Sequence, residues 1–181
     1  MNETLPGRSQ EMTAALLDQL KSGKESWDRA NAASALAEVG ARADAEVAAL
    51  IEAFKDSAWL VRETVARTLG RIGPRAKAAV PRLINALNDD DVGVRAEAVS
   101  ALCRIGPDAE AVVPALIKAL GDDRAEVRRR AAYALGTIGP DAKAAIPALI
   151  RALSDGEPVR DYAAEALGRI DPTANGDKAA R

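Results

Sequence analysis

Apolar residues return every three or four positions along most of the chain, and no stretch alternates apolar with polar as a half-buried strand does. In AVVPALIKAL, Val113, Leu116, Ile117 and Leu120 fall at i, i+3, i+4 and i+7, the stripe of an amphipathic helix. In VRRRAAYALGTI, Val127, Ala131, Leu135 and Ile138 share one side in the same way. Gly139 then predicts a left-handed C-cap, and Pro140 a stop. The proline in the first helix either opens its main segment or kinks it. The unit is a helical hairpin.

That hairpin repeats. Val-Arg occurs at 61–62, 94–95, 127–128 and 159–160, and Ile-Gly-Pro at 72–74, 105–107 and 138–140, with IDP at 170–172. VPRLINAL (80–87), VPALIKAL (113–120) and IPALIRAL (146–153) keep the same step of about 33 residues. VAALIEAF (47–54), WDRANAASALAEVG (27–40) and AALLDQL (14–20) are weaker copies. Five hairpins, ten helices in all, are predicted, in units of about 11–40, 41–73, 74–106, 107–139 and 140–170. Flexible tails are expected at 1–10 and 171–181. Each unit leans on its neighbours, so neither end should fold well alone.

A period near 33 also suits ankyrin and tetratricopeptide units, but the T-P-L-H signature and the Trp/Gly/Tyr pattern are both absent. The pattern D-x5-R-x6-LG-x-IGP, followed by a VPALIxAL-type helix, instead resembles HEAT repeats. The likeness is to the short HEAT-like repeats of phycobilisome lyases, over roughly residues 11–170. It implies an all-α, right-handed α-α superhelix with the proline-bearing helices convex and the Val-Arg helices concave. It also implies an Asp–Arg ladder between neighbouring units. Asp56, Asp89 and Asp122 each precede an arginine (Arg62, Arg95, Arg128) by six residues, and Asp155 precedes Arg160 by five. With Arg29, these arginines fall near the edge of the apolar face, where an unpaired charge is costly. A row of anion-binding arginines is the functional alternative; the structural ladder is the stronger reading.

Small residues recur at Ala37, Gly70, Cys103, Gly136 and Gly168, a column that close helix approach explains. Cys103 is expected to pack there rather than react, because no histidine exists to activate it. Trp27 and Trp59 open the first two Val-Arg-type helices and are expected in the core or at its rim; the alternative is an exposed aromatic that extends a binding surface.

Three columns are left over. Five residues past each ladder arginine stand Ser34, Arg67, Ser100, Tyr133 and Glu165; one turn on come Glu38, Arg71, Arg104, Thr137 and Arg169. One turn back lie Asn31, Thr64, Glu97, Arg130 and Tyr162. They vary because the repeat's own packing does not constrain them, which places them on the concave surface facing a partner. The residues expected to bind it are Arg67, Arg71, Glu97 and Arg104, with Arg130, Tyr133, Tyr162 and Arg169. Tyr133 and Tyr162 differ by three residues in register, about 4.5 Å along the axis, so on helices about 8–10 Å apart their rings can meet.

Composition narrows the chemistry. A chain of 181 residues, 48% hydrophobic, can bury a core without disulfides, and its one cysteine forms no intrachain bridge. No apolar run approaches the ~20 residues of a membrane span, and the start lacks signal-peptide features, so a cytoplasmic protein is expected. A net charge of −2 argues against a dedicated nucleic-acid binder. Without histidine the usual general base and the commonest neutral metal ligand are missing, so no catalytic residue, metal or cofactor is expected. The acidic run 89–91 reads as helix caps rather than a calcium loop.

The function expected is a non-enzymatic scaffold that grips another protein. Three other readings fit the pattern less fully: a bilin-lyase-type or other enzyme-associated subunit, a consensus-designed repeat protein, and a nucleic-acid scaffold. Ala163, Ala164, Ala166 and Leu167 leave the last unit apolar, so the tail or a second copy is expected to cover that end.

Overall fold

The computed structural model describes residues 6–38, 44–106 and 109–172; the tail segments expected at 1–5 and 173–181 lie outside these. Ten α-helices and no strand are present among the described residues. The first five are α1 (Pro6–Ser22), α2 (Ser26–Glu38), α3 (Asp44–Glu52), α4 (Trp59–Ile72) and α5 (Val80–Ala86). α6 (Val92–Ile105), α7 (Ala109–Ala119), α8 (Ala125–Ile138), α9 (Ile146–Ala152) and α10 (Val159–Ile170) complete the set. Residues 6–10, expected in a tail, belong to α1; a proline is tolerated in a first helical turn, and the helix starts there. At the other end the Asp171 amide still donates to the Leu167 carbonyl at 2.9 Å.

The even-numbered helices stack in order, α2 on α4 on α6 on α8 on α10, and form one layer. The odd helices form the other, meeting their successors through 3-10 segments at Gly73–Ala79 and Gly139–Ala145. Core leucines come from equivalent places in each unit: Leu69, Leu102 and Leu135 on even helices, Leu50, Leu83, Leu116 and Leu149 on odd ones. Each such side chain contributes about 1.5–3 kcal/mol on burial.

Gly70 and Gly136 set the spacing between even helices. A Cβ on either would lie 2.9 Å from the Cα of Ala101 or Ala166 on the following even helix, so only glycine allows the approach. Gly139 departs from the expected left-handed cap. Its φ of 72° comes with ψ of −139°, a conformation reserved for glycine, and it turns the chain into a 3-10 segment. Pro81 and Pro147 stand at the starts of α5 and α9, whereas Pro114 lies within α7, so both fates foreseen for this proline occur.

The ladder joins units in a particular register. Arg62 donates through Nε and Nη2 to both carboxylate oxygens of Asp89, each at 2.8 Å. Its Nη1 donates to the backbone carbonyls of Asp56 (2.9 Å) and Ser57 (3.0 Å). Thus the aspartate six residues before each arginine meets it through its carbonyl, while the carboxylate comes from the next unit. Arg29–Asp56, Arg95–Asp122 and Arg128–Asp155 repeat this fork. Each carboxylate also orders its own loop: Asp56 accepts from the Ala58 amide, Asp89 from Asp91 and Asp122 from Arg124. Asp91, the last of the acidic run, caps α6 by accepting from the Val94 amide.

Arg160 breaks the expected set. Asp155 is taken by Arg128 of the preceding unit, and Arg160 turns to Glu157 and Asp161 beside it. The forks hold the aspartates below their ordinary value of 3.8. For Asp56 the Arg29 hydrogen bond dominates; for Asp89 burial pushes upward, but the bonds from Arg62 and the Asp91 amide outweigh it.

Candidate functional site

The ladder arginines start the even helices, so the residues further along those helices are held in fixed register from unit to unit. Tyr133 on α8 and Tyr162 on α10 therefore meet. Their ring centroids lie 6.0 Å apart at 82°, an edge-to-face pair. The Arg129 guanidinium sits over the Tyr162 ring, 5.5 Å from its centre. The rings differ in burial: Tyr133 is 48% exposed, while Tyr162 is half-buried and packs on the core.

A groove of about 480 Å³ opens beside the rings on α6, α8 and α10, lined also by Ser100, Cys103, Arg104, Arg129 and Arg130. Four predicted residues (Arg104, Arg130, Tyr133 and Tyr162) are thus gathered at one place. Arg130 donates to Ser100 Oγ at 2.5 Å and Glu126 Oε1 at 2.7 Å, with Glu97 at 3.4 Å. Glu97 also approaches Arg67 at 3.7 Å, and Arg67 in turn bonds Glu63. One chain of ion pairs therefore crosses α4, α6 and α8. The Arg130 hydrogen bond draws Glu126 below the usual carboxylate range. Arg104 is exposed at the groove, with no ion pair or hydrogen bond to another of the described residues.

Other expected members stand apart. Arg71 faces Glu38 across α2 and α4 at 3.6 Å, and Arg169 pairs with Glu165 on its own helix at 2.6 Å. Thr64, placed in a groove column by register, is buried. Trp27 and Trp59, expected in the core or at its rim, are exposed at the starts of α2 and α4, ahead of the first buried residues Ala30 and Val61. Arg129 was not foreseen as a site residue; its signal was the run Arg128-Arg129-Arg130, whose middle member lies between ladder and groove. Cys103 lines the groove while packing against the core, and its column is that of the small packing residues. No cluster of three or more His, Cys, Asp or Glu able to hold a metal occurs among the described residues. No helix among them is long and apolar enough to cross a membrane.

These features define an all-α superhelical solenoid of stacked hairpins with an arginine–tyrosine groove on its even helices. The HEAT repeats family model matches residues 13–92 and 80–168. The chain belongs to the HEAT-repeat family, with repeats of the phycobilisome-lyase type. Among solved structures it is similar to a chain of the CpcE–CpcF complex of phycocyanin lyase from Nostoc sp. PCC7120, at 30% identity and a TM-score of 0.74. That match covers 91% of this chain and 67% of the other. An engineered protein matches at 25% identity and TM-score 0.70, over 87% of this chain and 78% of that one. A designed armadillo repeat protein in complex with the peptide (KR)4 shares the fold, at 20% identity and TM-score 0.70, covering 91% of this chain and 86% of that one. None of the curated proteins compared matches the sequence.

Proposed function

We propose that this protein is a non-enzymatic scaffold whose even-helix groove binds an extended acidic segment of another protein. The observation that carries this reading is the groove's composition. The edge-to-face tyrosines offer an apolar anchor, and Arg104 offers an exposed cation beside them, unpaired among the described residues. Arginine and tyrosine are the types that dominate binding energy at protein interfaces. Arg130 has its charge met by Glu97 and Glu126, and Arg129 lies over the Tyr162 ring with Glu126 at 4.0 Å, which leaves Arg104 to select the partner's sign. The scaffold class is one that repeat proteins serve through extended surfaces.

The test is fluorescence anisotropy with two labelled 12-residue peptides, one alternating Glu with Leu and Phe, the other carrying Lys in place of Glu. The acidic peptide should bind, and Tyr133→Ala or Arg104→Ala should each weaken it by about tenfold or more. Equal binding of the lysine peptide, or indifference to both substitutions, would overturn the reading.

A second reading is supported by the likeness to the phycocyanin lyase chain: a subunit within an enzyme whose chemistry resides on another chain. It makes a separate prediction. A free bilin mixed with the protein should then change its visible absorption, and Tyr133→Ala should reverse the change.

A further inference from the structure

The even helices do not pack equally closely on one another. One register position on each faces the next even helix, the column of small residues, and at the four junctions it holds Ala37, Gly70, Cys103 and Gly136 in turn. At two of them the approach is direct: a Cβ on Gly70 or Gly136 would lie 2.9 Å from the Cα of Ala101 or Ala166. Ala134 on α8 stands one repeat beyond Ala101 and is the residue opposite Cys103 in that register. Packing follows the size of the column residue. α4 meets α6 and α8 meets α10 most extensively, where it is glycine; α2 meets α4 less, at Ala37; α6 meets α8 least, at Cys103. Close-packed interiors leave no spare volume, so each atom added between two helices moves them apart.

The groove of about 480 Å³ opens at that least-packed junction, with Cys103 on its α6 side and Tyr133 on its α8 side. The polar link across it is made by a long side chain: Arg130 reaches Ser100 at 2.5 Å and Glu97 at 3.4 Å. Another difference falls at the same place. α6 ends in the left-handed Gly106 (φ 64°, ψ 56°), whereas α4 and α8 pass through Gly73 and Gly139, at ψ of −141° and −139°, into 3-10 segments. Two causes could therefore set the gap, and a substitution at position 103 separates them because it leaves the cap as it is.

We propose that Cys103 is the positioning residue of this groove: its side chain holds α6 off α8, and the acidic segment seats one apolar side chain in the gap, against the Cys103 sulfur and the Tyr133 ring. The seat rests on the scaffold reading given above; the spacer does not. A polarisable sulfur beside an aromatic ring suits an apolar or aromatic group from the partner. Arg104, the next residue on α6, then stands beside the seat to take a neighbouring carboxylate of the same segment. The role asks only for the size of the thiol and not for its reactivity, which agrees with a chain that has no histidine to activate it.

The test compares the full chain with Cys103→Ser, Cys103→Ala and Cys103→Gly, by crystal structure and by anisotropy with the labelled Glu/Leu/Phe peptide. The α6–α8 separation should hold with serine, narrow with alanine, and with glycine come close to that of α4 and α6. Affinity should follow the separation. Serine should bind within about twofold of the unmodified chain and glycine about tenfold or more weaker, with alanine between, as when a pocket loses room for a methylene or more. Alanine raises helix propensity, so weaker binding there is not a folding defect. Bound peptide should also protect Cys103, the chain's one thiol, from alkylation by iodoacetamide. A separation that glycine leaves unchanged would overturn the spacer and give the gap to the Gly106 cap. Narrowing without loss of affinity, or alkylation that proceeds equally in the complex, would overturn the seat. A chain that binds neither peptide would end the scaffold reading and the seat with it, while the separations still decide the spacer.

Discussion

Arg62 and Arg104 are both arginines on even helices, and they live in opposite circumstances. Arg62 opens α4 and spends its guanidinium on two backbone carbonyls of its own loop and both oxygens of Asp89. Arg104 ends α6 beside the tyrosine pair and engages no partner among the described residues. The first geometry recurs at Arg29, Arg95 and Arg128; the second has no copy. Where a residue serves the stacking of units it is fixed by the repeat, and where it serves only the surface each unit is free to differ. On the proposed function, structural roles and binding roles are thus separated along each even helix, and the separation can be tested.

Acid should have the largest effect, because it reaches every rung together. The four ladder aspartates have folded pKa values lowered below the ordinary 3.8. Their contribution to stability is complete above that ordinary value and is lost as pH falls through the lowered folded values. The melting temperature followed by circular dichroism should be flat between about pH 5 and 8 and drop steeply below about 4. A decline centred near neutrality would implicate other groups.

A single rung comes next. Arg62→Ala leaves the mostly buried Asp89 carboxylate without its fork and should cost about 2–4 kcal/mol in urea denaturation. Acidic-peptide binding at native temperatures should stay within twofold. If stability holds while binding falls, the two roles have been assigned the wrong way round.

The tyrosines sharpen the contrast further. Tyr162 packs on the core, so Tyr162→Ala should cost about 1–3 kcal/mol, whereas the more exposed Tyr133→Ala should stay below about 1 kcal/mol. Both should weaken the acidic peptide. The smallest stability effect belongs to Arg104→Ala, within about 0.5 kcal/mol, as for an exposed side chain on the surface. A larger loss, measured by the same denaturation, would mean that Arg104 supports the fold.

Much of this architecture was legible before any coordinates. The hairpin and its all-α stacking follow from an apolar stripe written several times over, and the errors of one copy are corrected by the others. The meeting of Tyr133 and Tyr162 also followed, because a three-residue offset on adjacent helices is simple geometry. The rung partner was harder to read. The six-residue spacing from Asp56 to Arg62 is a real contact, but it ends on a carbonyl, and the carboxylate that matters lies 27 residues further along, on Asp89. Only the stacking of one unit on the next brings that pair together, so Arg160, matched to Asp155 by spacing, is left outside the ladder. Trp27 and Trp59 misled for another reason: bulk and apolarity suggested burial, but both stand ahead of the first inward-facing position of their helices. Glu63 and Glu126, which pair with Arg67 and Arg130 on their own helices, lie outside the variable columns, and helical neighbours at i+4 were the signal for them.

The rungs also decide how the molecule gives way. They run along one edge of the even-helix layer, where the interhelix loops meet the helix starts, and each clamps its own loop to the next. At the opposite edge, where these helices end, the described residues hold no such fork, only the looser pair of Arg71 with Glu38 at 3.6 Å. A load applied across the stack is therefore expected to spread the less clamped edge more than the forked one, as pages fan about a binding. The tyrosine groove lies between the two edges, so its width is expected to follow the fanning while the order and register of the units stay the same.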